Sequence, residues 1–453
     1  MMRPAISRRA AGLCTVALAA LFVLAAGPAA ATPIERVVSP GGIEAWLVRE
    51  PAVPLIALDF AFLGGANEDP ADKPGLAHMV ASLIDEGAGD LDSNAFHERL
   101  EQHAIELGFS AGRDHFRGSL RTLSVNRDLG FDLLRLSLTA ARFDDEAVER
   151  IRTQLLADLR RATTEPTSIA NERFWGTAYA GHPYALPVHG TTEGVTRVGT
   201  ADLKAYTRRV FARSSLKIAI VGDIDAATAG ALVDKVFGAL PEKPELAAIE
   251  RATMRGLGRR QVIEVDVPQA VISFGGQGIS RKDPDFFAAY LVNHILGGGS
   301  MSSRLYREVR ENRGLAYGIW TGLVSLGEAA LFTGSTATRA DRAADTLEII
   351  EREVRRMAES GPTEQELAKT KSFLKGSYAL SFDTSTKIAA QLVQIQLDDL
   401  GIDYVNRRNS LIDAVTIADA QRVAKRLFDG KMLFTVVGRP QGVTSNDPTG
   451  SGG

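Results

Sequence analysis

An internal repeat constrains the fold of this 453-residue chain more than any other feature of its sequence. Several matching features recur at one constant offset in the sequence: Ala201-Asp202 with Ala418-Asp419, and Phe211 with Phe428. The strand segments, IAIVG at 218–222 and FTVVG at 434–438, match at an offset one residue shorter. In each copy a helix pattern leads through a short turn to a buried strand and a glycine. Chance similarity is the alternative, but the equal spacing of several features favours duplication. We therefore predict an α+β fold made of two similar halves.

A region rich in Pro, Glu and Arg separates the two halves. Residues 241–258 show weak periodicity and are interpreted as a linker. Residues 32–240 then form an N-terminal domain, and residues 259–441 form a C-terminal domain. In the second domain, the segment from Ser302 to Arg313 predicts a helix that ends at Gly314. The last residues, 442–453, predict a disordered tail.

The segment 1–31 has the three parts of a secretory signal peptide. These parts are a basic start with Arg3, Arg8 and Arg9, an apolar run over residues 10–26, and a small-residue cleavage site at Ala29-Ala30-Ala31. The run is shorter than the roughly 20 residues of a membrane-spanning helix, so we expect no membrane anchor after cleavage; a retained N-terminal anchor is the alternative. Cys14, the only cysteine, lies in this segment, which leaves a mature chain without disulfides or thiolate metal ligands. Export of this kind predicts a periplasmic protein of a Gram-negative bacterium.

Composition and motifs exclude several functional classes. The 52 Lys and Arg residues are scattered and are outnumbered by 55 Asp and Glu residues, so no nucleic-acid partner is expected. Gly297-Gly298-Gly299 is not followed by Gly-Lys-Ser/Thr, and it therefore indicates the end of a helix rather than a phosphate-binding loop. The sequence also has no dinucleotide-binding glycine pattern.

The stretch from Gly75 to Gly89, GLAHMVASLIDEGAG, has the outline of a zinc-peptidase helix without most of its zinc chemistry. The inverted zincin motif H-x-x-E-H places two histidine ligands on one helical face, with a glutamate base between them. His78 occupies the first position, while Ala81 and Ser82 replace the glutamate and the second histidine. A hydrolytic zinc site needs about three protein ligands and a base.

On sequence spacing, no other residue completes this site. His97 and His103 are six positions apart and lie on different helical faces, and Glu86 is roughly 12 Å along the helix from His78. The remaining histidines lie in separate segments without ligand spacing: His115, His182, His189 and His294. His78 is therefore interpreted as a half-buried helical histidine, with a metal ligand as the alternative.

Several segments, in the same order over nearly all of the mature chain, resemble the pitrilysin/insulinase family of zinc peptidases. They are GLAHMVASLIDEGAG, HPYALPVHGTTEGV, LKIAIVGDI, ILGGGSMSSRLYREVRENRGLAYGIW and LFTVVGRP. The resemblance is to the short bacterial branch that is similar to mitochondrial processing peptidase subunits. It implies two homologous domains, each a mainly antiparallel sheet covered by helices, which together form half of a clamshell.

The resemblance implies different outcomes for the family's functional residues in the two domains. In the first domain His78 matches, Ala81 and Ser82 do not, and Asp158 lies near the position of the family's remote glutamate ligand. No metal bound by this chain is therefore expected. In the second domain, Arg310 and Tyr317 match an arginine and a tyrosine that contact the substrate carbonyl near the scissile bond.

Some peptidases of this branch are heterodimers in which one subunit carries H-x-x-E-H and the other carries the Arg/Tyr pair. The resemblance implies that this chain is the second kind: inactive alone, with zinc on a homologous partner and a peptide as substrate. A guanidinium and a phenol suit this role because both donate hydrogen bonds to a developing oxyanion. The alternatives are a catalytically inert structural or peptide-binding member of the same fold, and an independent enzyme that uses His78 and Asp158.

Overall fold

A computed structural model describes residues 33–447 of the chain, and these residues form an α+β fold with two sheets, as predicted. The predicted signal peptide, residues 1–31, lies outside the described residues. The strands are β1 Ile34–Val38, β2 Glu44–Arg49, β3 Leu55–Leu63, β4 Glu106–Ala111, β5 His115–Leu123, β6 Lys217–Gly222, β7 Arg260–Ile263, β8 Gln269–Gln277, β9 Ala316–Ser325, β10 Ala330–Arg339 and β11 Leu433–Val437.

The helices follow the same division into two halves. They are α1 Leu76–Ala81, α2 Ser93–Gln102, α3 Arg127–Ala140, α4 Asp145–Ala162, α5 Pro166–Ala178, α6 Thr192–Arg197, α7 Thr200–Val210, α8 Ala226–Phe237, α9 Phe286–Asn293, α10 Arg304–Tyr306, α11 Ala343–Ser360, α12 Glu364–Tyr378, α13 Ser385–Leu397, α14 Tyr404–Ala414 and α15 Ile417–Phe428. Two further segments, His294–Gly298 and Arg307–Glu311, are π-helical. No helix within residues 33–447 is long and apolar enough to cross a membrane.

The first sheet has the strand order β1-β2-β6-β3-β5-β4. Only the β2–β6 pairing is parallel, because β6 returns to the sheet after the long helical segment that follows β5. Helices α3 and α8 pack together, α3 against β5 and α8 against β1 and β2. In α8 the apolar residues Leu232, Val233, Val236 and Phe237 recur at helical spacing, which gives the buried stripe expected of a helix that covers a sheet.

The second sheet repeats this arrangement with one strand fewer, in the order β7-β11-β8-β10-β9. Again one pairing, β7 with β11, is parallel and the others are antiparallel. Helices α9, α11 and α15 pack over it. The equivalent glycines at the ends of β6 and β11 have nearly equal φ angles, 142° at Gly222 and 137° at Gly438. An added Cβ would meet Ile56 and Ala270, respectively, which occupy corresponding strands. These shared details support the predicted duplication.

Each half also contributes a helix to the sheet of the other half. Helix α5 packs against β8 and β11 of the second sheet, where Phe174 shares a buried cluster with Leu433. Helix α13 packs against β3 and β6 of the first sheet, where Leu392 shares a buried cluster with Val221. Each sheet therefore has a face that is covered by a helix from the other half of the sequence.

The predicted linker and the start of the predicted tail both bond to residues of the second half. Residues 241–258 have no helix or strand, and the Ala252 N–H donates to the Glu328 carbonyl (2.8 Å). Near the C-terminus, the Ser445 hydroxyl donates to the Arg260 carbonyl (3.0 Å), and the Arg260 N–H donates to Asn446 Oδ1 (2.6 Å). The packed chain therefore extends past residue 442, where the sequence predicts a disordered tail, because polar side chains of this segment bond to the β7 backbone. Residues 448–453 lie outside the described residues.

Candidate functional site

Two glycines bring the segment that ends in His189-Gly190 against the start of α1. Gly75 has a φ of 99°, and a Cβ at this position would lie 2.8 Å from the Cα of Gly190. A Cβ at Gly190 would likewise lie 2.7 Å from the Cα of Gly75. The Asp69 carboxylate accepts the N–H groups of Gly75 (2.7 Å) and Ala77 (2.8 Å), which fixes the start of the helix. Because glycine has no Cβ, the two backbones can touch at Gly75 and Gly190. This contact places His189 against the surface of α1.

His189 lies directly against His78. The Nδ1 atom of His189 is 3.4 Å from the Nε2 atom of His78, and the two rings meet edge to face with centroids 4.6 Å apart. Burial lowers the pKa of His78 to about 4, with a further lowering from His189 and an opposing effect from Asp158. The sequence places His189 in a separate segment without ligand spacing, and the fold brings that segment against α1. Their wide separation in the sequence gives no sign of this contact, which depends on the close approach of Gly75 to Gly190 and on the packing of Gly194 against Pro74.

The residues around His78 do not fit a hydrolytic zinc ion. Ala81 is buried and apolar, and the Ser82 hydroxyl donates to the His78 carbonyl (3.0 Å) instead of pointing away from the helix as a ligand. Asp158 is largely exposed and pairs with Arg161, close enough to His78 to affect its pKa. Within residues 33–447 no group of three or more His, Cys, Asp and Glu side chains is placed to hold a metal ion. A metal-bound water would also have no base at the position of Ala81.

The second candidate site brings together Arg310 and Tyr317. The Arg310 guanidinium carbon lies 4.4 Å from the centre of the Tyr317 ring and 5.1 Å from that of Tyr306. The guanidinium also donates to the Tyr306 hydroxyl, so it is held between two aromatic rings. Tyr317 itself is 86% exposed. The cation is therefore fixed by packing, while the phenol beside it faces solvent.

The backbone around this pair is irregular in both segments. The helix predicted from Ser302 to Arg313 is instead the short α10 followed by the π-helical turn Arg307–Glu311, which carries Arg310. In β9, Ile319 pairs with Thr336 and Ala316 pairs with Thr338, so two residues, Tyr317 and Gly318, stand opposite one residue of β10. This is a β-bulge. Both π turns and bulges are common where a strand or helix redirects a functional side chain.

Arg310 and Tyr317 lie in a groove of about 670 Å³. Its floor includes residues of β8 and β10, and the start of α5 from the first half reaches it at Thr167. Two large side chains beside the pair, Met301 and Trp320, are 71% and 53% exposed. Neither residue is predicted from the sequence to line a site. Their exposure is not readable from the sequence because an apolar residue in a helix end or a strand normally predicts core.

Comparison with known proteins assigns both halves to one family. Residues 52–192 match the family described as insulinase (peptidase family M16), and residues 197–374 match the one described as the peptidase M16 inactive domain. The chain belongs to peptidase family M16. His78, Ala81 and Ser82 lie in the first match, and Arg310 and Tyr317 lie in the second.

Individual M16 relatives agree with this assignment. An uncharacterized zinc protease of Streptomyces coelicolor is 25% identical over 415 residues, 89% of each chain. A protein of Helicobacter pylori described as a non-peptidase homolog is 27% identical over 73% of this chain and 77% of its own. A crystal structure of a peptidase M16 inactive domain from Pseudomonas fluorescens is 27% identical, with a TM-score of 0.83 over 92% of this chain and 99% of that one. The matches to the inactive domain and to the non-peptidase homolog, together with Ala81 and Ser82 at the positions of the base and second ligand, support a non-catalytic M16 member.

Proposed function

We propose that this chain is the non-zinc-binding subunit of a periplasmic heterodimeric zinc peptidase. It supplies Arg310 and Tyr317 to a peptide held at the zinc site of a homologous partner with an intact H-x-x-E-H motif. The observation that carries the proposal is the Arg310–Tyr317 pair itself, a cation fixed 4.4 Å from an 86% exposed phenol ring in an open groove.

The chemistry of the pair suits a peptide carbonyl. Attack by zinc-bound water would place negative charge on the carbonyl oxygen, and donors already in position stabilise that charge without reorganising. The Arg310 guanidinium has five N–H groups and keeps donors beyond the one that bonds to Tyr306. The exposed Tyr317 hydroxyl provides a second donor. Neither group can generate the nucleophile, so this chain needs zinc and a base from elsewhere.

The residues that line the groove also suit a neutral or acidic peptide better than a basic one. Arg310 and Arg339 lie there, and none of the described lining residues is Asp or Glu. Arg339 forms an ion pair with Asp341, so Arg310 is the less neutralised of the two cations. A peptide main chain with an exposed carbonyl matches these donors, whereas a lysine-rich segment would meet charge repulsion.

The test is reconstitution with a homologous chain that carries an intact H-x-x-E-H. The purified chain alone should contain no stoichiometric zinc by mass spectrometry of metals and should not cleave fluorogenic peptides. The mixture should cleave them. In the mixture, Arg310→Ala and Tyr317→Phe should each lower kcat by about 10²–10³ without changing complex formation by size-exclusion chromatography. Arg355→Ala, which removes an exposed arginine of α11, is the matched control and should be neutral.

Unchanged cleavage by the Arg310→Ala and Tyr317→Phe mixtures would refute the proposed role. It would favour the second candidate, a catalytically inert structural or peptide-binding M16 member, for which the relative from Helicobacter pylori described as a non-peptidase homolog is the supporting observation. Stoichiometric zinc and cleavage by the chain alone, both lost in His78→Ala, would instead favour an independent enzyme that uses His78 and Asp158.

A further inference from the structure

The β-bulge in β9 places two aromatic side chains on one exposed face of the strand. In a regular strand, residues three apart point to opposite faces. Tyr317 and Trp320 are three apart, yet both are exposed, while Ala316, Ile319 and Thr321 between and around them are buried. The extra residue at Tyr317-Gly318 changes the alternation by one and so produces this arrangement. The two rings therefore line the same groove as Arg310.

The Trp320 ring has a defined position along the strand. Its Cζ3 atom lies 3.4 Å from where a Cβ of Gly322 would be, so the ring lies over the glycine two positions further along. A larger residue at position 322 would contact the ring and tend to push it away from the strand. Trp320 therefore presents a flat apolar surface to the groove, with Tyr317 on one side and the open strand on the other.

From this geometry we infer that Trp320 selects the substrate side chain two residues away from the carbonyl bound by Arg310 and Tyr317. The inference rests on the proposed function. Because Tyr317 and Gly318 together stand opposite one residue of β10, they advance the strand by one position. Tyr317 and Trp320 are therefore two strand positions apart, about 7 Å at roughly 3.3 Å per residue. An extended peptide running along β9 repeats its side chains on one face at this same interval. When its carbonyl meets Arg310, its side chain two residues away meets the Trp320 ring.

The surroundings of Trp320 indicate which side chain it prefers. A lone tryptophan face attracts both cations and apolar groups. Here, however, the groove contains Arg310 and Arg339 and no acidic residue among its described lining, which disfavours a basic side chain. The selected residue is therefore bulky and apolar or aromatic.

The test compares cleavage-site preference in the reconstituted complex. A mixed peptide library is digested, and the products are identified by mass spectrometry. The wild-type complex should enrich Phe, Leu or Met at one position two residues from the residue whose carbonyl is attacked. Trp320→Ala should abolish that enrichment and bring the kcat/KM ratio between matched Phe and Ala peptides down about tenfold. Trp320→Phe should keep most of it. Phe373→Ala, which removes a 56% exposed aromatic ring outside the groove, should leave the preference unchanged.

Two outcomes separate this inference from the proposed function. If the complex cleaves peptides and Trp320→Ala retains the same preference, the inference is wrong while the proposed function stands. If the complex does not cleave, the proposed function fails, and fluorescence anisotropy of labelled Phe and Ala peptides on this chain alone still tests Trp320. Tighter binding of the Phe peptide that disappears in Trp320→Ala then supports the selecting role, and equal binding overturns it.

Discussion

Two buried tyrosines five positions apart provide a matched test of what holds the two halves together. Tyr179 and Tyr184 are both 1% exposed, and their ring centroids are 5.9 Å apart. The Tyr184 hydroxyl donates to Asp114 Oδ1 (2.6 Å) and accepts the N–H of Glu328 (3.1 Å). The other Asp114 oxygen accepts the N–H of Gly327 (2.9 Å). This network ties the turn between β9 and β10 to the first half.

The Tyr179 hydroxyl, in contrast, has no hydrogen-bond partner among the described residues. Burial raises the pKa of Tyr179 to about 12, and burial together with the Asp114 bond raises the pKa of Tyr184 well above its usual range. Both phenols are therefore neutral at any working pH. The two side chains have the same size and exposure, and they differ in whether the hydroxyl forms hydrogen bonds.

We predict opposite effects for the two Tyr→Phe substitutions. Tyr184→Phe removes a hydrogen bond to a carboxylate and leaves the Glu328 N–H without its acceptor, which should destabilise the protein by about 2–4 kcal/mol. Tyr179→Phe removes a hydroxyl that is buried without a partner, so it should be neutral or stabilising by up to about 1 kcal/mol.

Differential scanning calorimetry and urea titration measure both variants. For a chain of this size, we expect Tm to fall by roughly 2–5 °C in Tyr184→Phe and not to fall in Tyr179→Phe. Equal losses in the two variants would refute the reasoning, because both substitutions keep the ring and the Asp114 network would then not distinguish the two hydroxyls. A neutral Tyr184→Phe would show that water replaces the hydroxyl at Glu328.

Two further predictions concern α1 and its surroundings. Burial lowers the pKa of His78 to about 4, so folding favours the neutral imidazole. The resulting stability is fully present above pH 6.5 and is lost as the pH falls toward 4. The free energy of unfolding should fall by at most about 3 kcal/mol over this range. His78→Gln should flatten the urea-measured stability profile over this range, and an unchanged slope would contradict the burial of His78. Gly75→Ala should destabilise by at least about 2 kcal/mol, because its φ of 99° and the 2.8 Å approach to Gly190 leave no room for a Cβ. Gly176→Ala in α5, where a Cβ meets nothing within 4 Å, should instead stabilise by up to about 1 kcal/mol; Tm shifts of the same sign in the two glycine variants would contradict this.

Features carried by local pattern could be predicted from the sequence. The repeated unit of helix, turn, strand and glycine appears as α7 with β6 and as α15 with β11, because each unit folds from contiguous residues. Arg310 and Tyr317, which the family resemblance paired, lie together, with the guanidinium carbon 4.4 Å from the centre of the ring. The role given to this pair stays a prediction.

Features that depend on distant contacts or on irregular backbone could not be predicted. His189 reaches His78 only because Gly75 and Gly190 allow two backbones to touch. Trp320 shares a face with Tyr317 only because of a one-residue bulge, and strand periodicity predicts the opposite face. In both cases a single local exception reverses what spacing alone implies.

The first half remains well packed although its zinc motif is degenerate. The α1 start is held by Asp69 and by the Gly75–Gly190 contact, neither of which needs a metal ion. The same half supplies α5, which covers β8 and β11 and brings Thr167 to the groove that contains Arg310. Loss of the base and ligand at Ala81 and Ser82 therefore removes hydrolytic chemistry without removing support for the second site. Packing of the first half and the chemistry of the zinc motif therefore depend on different residues of the same half.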